Sequence, residues 1–262
     1  MSHRRLAVFA FALAWLLSGC DPSLERARSL LRIGYAVEAP YAFVKDGVVT
    51  GEAPETAKVL AQRLHLGHIE WRQIEFDHLF EELLHHRIDV VAAGTFVTPD
   101  RQKIVAFSLP TFRVREAVLL KAGNPKGWTT FQRQGSSETF RYAVLGGAAE
   151  ISFLRERGWP VDSLVVVPDA ATGLASVREG SADGLVLSAP SLRFMLTQVP
   201  PRTLEVRTDA RDTDPGALGA FAFRPEDKAL REAWDQSLAE YLNTPEHQAL
   251  LAPLGFTVLE KP

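Results

Sequence analysis

The 262-residue sequence holds a single cysteine, Cys20. No disulfide can form within the chain, so in an oxidising compartment the fold would have to stand on its core alone. There is no basic excess either: 29 lysines and arginines face 32 acidic residues, a formal charge of −3. An acidic chain without a basic tract offers a polyanion nothing to hold, which argues against nucleic acid as a partner. No apolar run reaches the roughly 20 residues a helix needs to cross a bilayer. The patterns that announce catalysis are missing too: no lysine follows a glycine-rich phosphate loop, and no serine sits in a nucleophile elbow. His65, His68, His78, His85 and His86 suggest metal at first sight, but His85 and His86 are adjacent and would diverge on a helix. No cysteine or dense carboxylate cluster completes a site, so neither a metal nor a cofactor is expected. Internal repeats and low-complexity tracts are absent.

What is present begins at the N-terminus. Arg4 and Arg5 form a short basic head, followed by a charge-free run at residues 6–17 (LAVFAFALAWLL). As a helix that run would be about 18 Å long, too short for a hydrocarbon core of about 30 Å. A basic head, a short apolar core and small residues before a cleavage point describe a secretory signal peptide. The ending Leu17-Ser18-Gly19-Cys20 resembles a bacterial lipobox, which would make Cys20 the lipidated first residue of the mature protein. Asp21 resembles an inner-membrane retention signal. The expectation is a periplasmic body tethered through lipid and not embedded. Residues 21–29 (DPSLERARS) read as a polar leash.

Beyond it, strand and helix patterns alternate, which points to α/β architecture. Strands are expected at residues 31–35, 69–74, 89–93, 142–145, 164–167 and 184–187. A helix over 55–66 follows Pro54, stops at Gly67, and carries Ala57, Leu60, Ala61 and Leu64 at helical spacing. Asp77 is placed to cap another helix. Further helices are expected over 148–157, 170–179, 228–242 and 245–251. Apolar stretches at 118–121 and 219–223 read as two connections between two lobes. The expected organisation is a signal peptide over 1–19, the lipidated cysteine and leash over 20–29, one lobe from 30–120 and 219–262, and a second from 121–218.

The tract at residues 94–112 (GTFVTPDRQKIVAFSLPTF) resembles the signature of family 3 solute-binding proteins. These are the extracytoplasmic receptors of ABC importers for amino acids and related small polar solutes. Gly146-Gly147-Ala148-Ala149-Glu150 and Glu179-Gly180-Ser181-Ala182-Asp183-Gly184 match further landmarks. The resemblance implies a type II periplasmic binding protein fold, with two lobes, each a central sheet flanked by helices, joined by two hinge connections. It also implies an ABC permease as partner, a monomer, and no enzymatic step.

Arg101 is expected to take the ligand carboxylate, because a guanidinium presents paired donors and stays charged. Thr98 would cap a helix opened by Pro99 and so position Arg101 rather than touch the ligand. Phe96 stands where amino-acid binders carry Ser or Thr, and with Tyr41 and Phe76 it could form an aromatic box for a delocalised cation. Glu38 would meet the cationic nitrogen. Ser188 stands where those binders carry Asp, which disfavours a localised α-ammonium. Glu38-Ala39-Pro40-Tyr41 and residues 51–55 (GEAPE) add a resemblance to ectoine and hydroxyectoine binders. Ala148 replaces a threonine common in them, leaving only the backbone N–H groups of a helix start to receive a carboxylate. A small zwitterion of this kind, a related compatible solute or a cyclic amino acid, captured by hinge closure, is the expectation. Rivals are a solute-sensing lipoprotein and an enzyme resembling cyclohexadienyl dehydratase.

Overall fold

Strand β1 (Leu30–Tyr35) buries Leu31 and Ile33 completely and pairs in parallel with β4 (His68–Gln73) and β5 (Val90–Val91). The computed structural model describes residues 21–135, 139–210, 215–254 and 256; the signal peptide and lipobox readings fall on residues outside that set. Strand β14 (Ala222–Phe223) joins β5 antiparallel and carries β6 (Ala106–Phe107) on its other edge. The first sheet therefore runs β4-β1-β5-β14-β6. A hairpin of β2 (Phe43–Lys45) and β3 (Val48–Thr50) leads into α2 (Glu52–Arg63). Helix α2, α3 (Leu79–Leu84), α7 (Lys228–Tyr241) and α8 (Pro245–Leu251) belong to the same half. Trp234 of α7 is fully buried between Phe221 and Phe223, ring centroids 5.2 and 5.7 Å away.

The second sheet repeats the plan. Strand β9 (Tyr142–Leu145) lies parallel between β10 (Leu164–Val167) and β11 (Gly184–Ser188). Strand β8 (Glu116–Lys121) runs antiparallel to β11 and to β12 (Leu204–Arg207). Helices α4 (Ala149–Glu156), α5 (Ala170–Glu179) and α6 (Ala189–Thr197) supply its flanks. In both sheets three parallel strands meet an antiparallel one, so the loops at their carboxyl ends face a common cleft, where α/β sheets hold ligands.

The chain passes between the sheets through β7 (Phe112–Val114) and β13 (Ala217–Gly219), which pair antiparallel. The crossings expected at 118–121 and 219–223 are thereby corrected. Residues 118–121 are the interior of β8, buried in the second sheet, and the lobe boundary expected after residue 120 falls inside that strand. Of the second stretch only Gly219 is in the ribbon. A Cβ there would lie 1.8 Å from the Phe112 ring, so any side chain at this position would displace that buried ring from the crossing ribbon.

Three local readings also change. Helix α2 starts a turn earlier than expected because Gly51, at φ +122°, is its N-cap. Pro54 then sits in the first turn, where its missing N–H leaves no bond unmade. Asp77 caps nothing; it lies in a 3-10 turn, Phe76–His78, ahead of α3. The expected leash is ordered: α1 (Ser23–Ser29) packs on α7, with Ala27 in the core. Among the described residues no helix is long and apolar enough to cross a membrane.

Candidate functional site

Arg101 begins a 3-10 turn, and its backbone N–H donates to Thr98 Oγ1 at 3.3 Å. The side chain is 8% exposed and lies in the cleft. Nη1 donates to the Phe96 carbonyl at 2.9 Å, and Nη2 reaches across to the Gly147 carbonyl of the other lobe, also at 2.9 Å. Phe76 and Phe80 present their faces at 5.6 and 5.5 Å from its guanidinium carbon. Burial pushes the guanidinium pKa down, opposed by the carboxyl of Glu150.

Phe96 is carried by a short bridge to Gly219, so its backbone is tied to the crossing ribbon. With Phe76, Arg101, Glu38, Ala148 and Glu150 it lines a compartment of about 10 Å³ between the lobes. Gly94 completes that wall; it holds φ +64°, and a Cβ on it would meet the Tyr41 ring at 2.5 Å.

The three aromatics of the expected box are not in one place. Phe76 and Phe96 line the compartment. Tyr41 does not; it is 2% exposed and packs on Phe112 and Phe256, ring centroids 4.7 and 5.7 Å away. Its hydroxyl donates to Ser188 Oγ at 3.0 Å. Ser188 likewise is not in the compartment. It is the N-cap of α6, and its oxygen accepts from the Ser191 N–H and donates to Ser191 Oγ at 3.2 Å. Ser191 Oγ in turn donates to Glu38 Oε1 at 2.5 Å. Four residues thus form one hydrogen-bonded chain that leaves the first lobe at Tyr41, passes through α6 and returns at Glu38.

Ala148 lines the compartment, yet its N–H is used locally, donating to the Leu145 carbonyl at 3.2 Å. The helix start expected to receive a carboxylate already has one. Glu150, in the first turn of α4 and 5% exposed, places its carboxyl by its own N–H. Burial pushes that carboxyl up to about 7, Glu38 adds to the push, and its own N–H and Arg101 oppose it. Burial also raises Glu38 to about 7, against the hydrogen bond from Ser191. Sequence reasoning missed Glu150 and Ser191 as site residues. The signal for Glu150 was its place directly after the glycine pair; Ser191 carried none, because only the closed approach of the lobes brings it to Glu38.

A wider cavity of about 570 Å³ opens from the same cleft, sharing Glu38 and Phe76 with the inner compartment. His78 finds two carboxylates, Asp77 at 3.1 Å and Glu75 at 3.7 Å, but all three are exposed, and such surface pairs are ordinary.

The family model for bacterial extracellular solute-binding proteins, family 3, matches residues 31–253. A probable amino-acid ABC transporter periplasmic-binding protein, y4tE of Sinorhizobium fredii, is 26% identical over 96% of this chain and 87% of its own length. ABC transporter arginine-binding protein 1 of Escherichia coli K12 is 23% identical, covering 79% of this chain and 84% of that protein. Among solved structures, EhuB in complex with hydroxyectoine superposes with a TM-score of 0.83 at 30% identity, over 90% of this chain and 93% of that one.

Proposed function

Since the chain belongs to the bacterial extracellular solute-binding proteins of family 3, a family of binding proteins for ABC importers and not of enzymes, we propose that it captures a small zwitterion between its lobes. The observation that carries this reading is the pairing of one buried cation with two carboxyls in one compartment. Arg101 offers its guanidinium to a ligand carboxylate, and Glu38 and Glu150 offer opposite charge to a ligand cation. Phe96 and Phe76 add apolar faces, each worth roughly 0.5–2 kcal/mol against a delocalised cation. Serine at 188, committed to capping α6, leaves no carboxylate there for an α-ammonium. An ectoine-like solute, with its charge spread over an amidinium, suits these groups better than a standard amino acid.

Capture proceeds by hinge closure about β7 and β13. The ordering and immobilisation it requires are offset by the desolvated charge pairs and the stacked faces. The protein then delivers the solute to an ABC permease. Cys20, at the end of the lipobox, anchors the mature chain to the inner membrane, and Cys20→Ala should move the protein from the membrane to the soluble fraction.

Calorimetry with ectoine, hydroxyectoine, proline, arginine and glutamine tests the capture. Tight binding of ectoine or hydroxyectoine, with weak or no binding of glutamine, is the expected outcome. The reverse order would overturn the delocalised-cation reading.

A further inference from the structure

The cleft has two compartments of very different size. The inner one, around Arg101, is about 10 Å³, whereas the outer one is about 570 Å³. Pockets of about 300–1,000 Å³ hold drug-sized ligands, so the outer space exceeds the needs of a compact zwitterion. Its walls are apolar: Ile74 and Phe76 from the first lobe face Leu174, Phe194 and Met195 from the second. The residues that line it include the carboxyls of Glu38, Glu75 and Asp169 and no lysine, arginine or histidine. Asp169 is engaged as the cap of α5, its oxygen accepting from the Thr172 N–H at 2.7 Å. Glu38 is the carboxyl shared with the inner compartment, and with Phe76 it stands where the two meet. An apolar anion would meet only repulsion here. A neutral apolar molecule would leave Glu38 with the Ser191 hydroxyl alone to offset its burial, and a carboxylate so buried is costly without an opposite charge. A cation with an apolar substituent satisfies both the walls and the carboxyl.

We propose that the solute is an amphiphilic cation whose charged nitrogen lies at Glu38 and whose apolar substituent fills the outer compartment against Leu174, Phe194 and Met195. This rests on the capture of a zwitterion by Arg101 and deepens it by naming what the rest of the solute is. The substituent would be clasped by both lobes, so its burial would favour closure itself and not only contact.

A homologous series of N-alkyl-N,N-dimethylglycines tests it, because the alkyl group grows from the cationic nitrogen while the carboxylate stays fixed. Calorimetry is run with methyl, butyl and hexyl members, and with ectoine as a compact reference. Each methylene entering an apolar site is worth about threefold to fourfold in affinity. The expected result is a stepwise gain from methyl to hexyl. Ala171, exposed on the rim of the outer compartment, can be enlarged without disturbing the core, and Ala171→Trp should abolish the gain while leaving the affinity for ectoine intact. If ectoine binds but affinity is flat or falls along the series, the amphiphile inference is overturned and the capture stands. If the gain survives Ala171→Trp, the chain is buried elsewhere and the outer compartment is not its site. If neither ectoine nor any member of the series binds, the capture reading itself fails and the inference with it.

Discussion

At the scale of single residues, burial without ordinary partners marks the groups that matter. Arg101 is nearly buried, and two of its nitrogens are spent on backbone carbonyls of different lobes. Removing one member of a desolvated charge pair costs about 2–5 kcal/mol, so Arg101→Ala should weaken capture of the zwitterion by roughly 30-fold to several thousand-fold. Titration calorimetry reads this directly, and an unchanged affinity would mean that the carboxylate is held elsewhere. Glu52 is a different case. It is 0% exposed at the start of α2, neither carboxyl oxygen has a well-formed hydrogen bond, and burial raises it to about 7 against a pull from the Thr111 hydroxyl. Its folded value lies above the ordinary 4.5, so the folded state holds the proton more tightly than the unfolded chain does. The stability this gives is complete below pH 4.5 and is lost as pH rises through about 7. Glu52→Gln cannot ionise. It should melt like the parent at pH 4 and be more stable at pH 8, by on the order of 3 kcal/mol. Parallel melting curves at the two pH values are the check, and an equal difference at both would show that folding leaves the pKa of this carboxyl unshifted.

At the scale of elements, the strands and helices with strong periodicity were legible. Helix α5 spans the 170–179 that the sequence predicts, and the structure adds its ends: Asp169 accepts from Thr172 N–H, and Gly180 is left-handed. Strands β9, a short apolar run buried along its whole length as a central parallel strand is, and β10, the edge strand beside it, whose Val166 is exposed, also fall where the sequence predicts. What could not be read are features set by partners distant in the chain. Residues 118–121 look the same whether they cross between lobes or fill a sheet, and only pairing with β11 and β12 decides. The polar segment 21–29 suggested a leash because its helix buries one small face, at Ser23 and Ala27. That helix has a job. Asp227, the N-cap of α7, makes no capping bond, being bound to Arg26 and Arg224. Asp21 supplies the cap instead, accepting from the Ala229 N–H at 2.6 Å, and Ser23 Oγ accepts from Leu230 N–H at 3.2 Å. Asp21→Ala should therefore cost about 1 kcal/mol, as the loss of a helix cap does, and lower the melting temperature by about 2–4 °C. A melting temperature equal to that of the parent would return residues 21–29 to the status of a leash. At the site, Arg101, Phe96 and Glu38 could be singled out from residue type together with the resemblance to family 3 solute-binding proteins, and all three line the inner compartment. Ser191 and the turned-away ring of Tyr41 could not, because their roles arise only when one lobe meets the other.

At the scale of the whole molecule, the chain of hydroxyls across the cleft bears on how closure is balanced. Tyr41 donates to Ser188 and Ser191 donates to Glu38, so two hydroxyl hydrogen bonds join the lobes without any ligand, beside the bond from Arg101 to the Gly147 carbonyl. Each such bond is worth about 0.5–1.5 kcal/mol net. Phe43 and Phe194 add an aromatic contact across the same gap, centroids 5.5 Å apart. If the lobes separate and approach about β7 and β13 as proposed, bonds of this size do not lock either arrangement; they bias the equilibrium between them. A solute that needs the approached arrangement binds with an apparent affinity scaled by the fraction of molecules already in it. Tyr41→Phe combined with Ser191→Ala removes both hydroxyl bonds while keeping the packing of the Tyr41 ring on Phe112 and Phe256. The double variant should bind the zwitterion roughly 10-fold more weakly, which corresponds to about 1.4 kcal/mol shifted towards the separated state. Small-angle scattering gives an independent reading. The ligand-free variant should have a larger radius of gyration than the ligand-free parent, and the two should coincide when saturated with solute. If affinity falls but scattering is unchanged in both states, the hydroxyls touch the solute and do not govern closure. If neither changes, the chain from Tyr41 to Glu38 contributes nothing to the balance between the lobes.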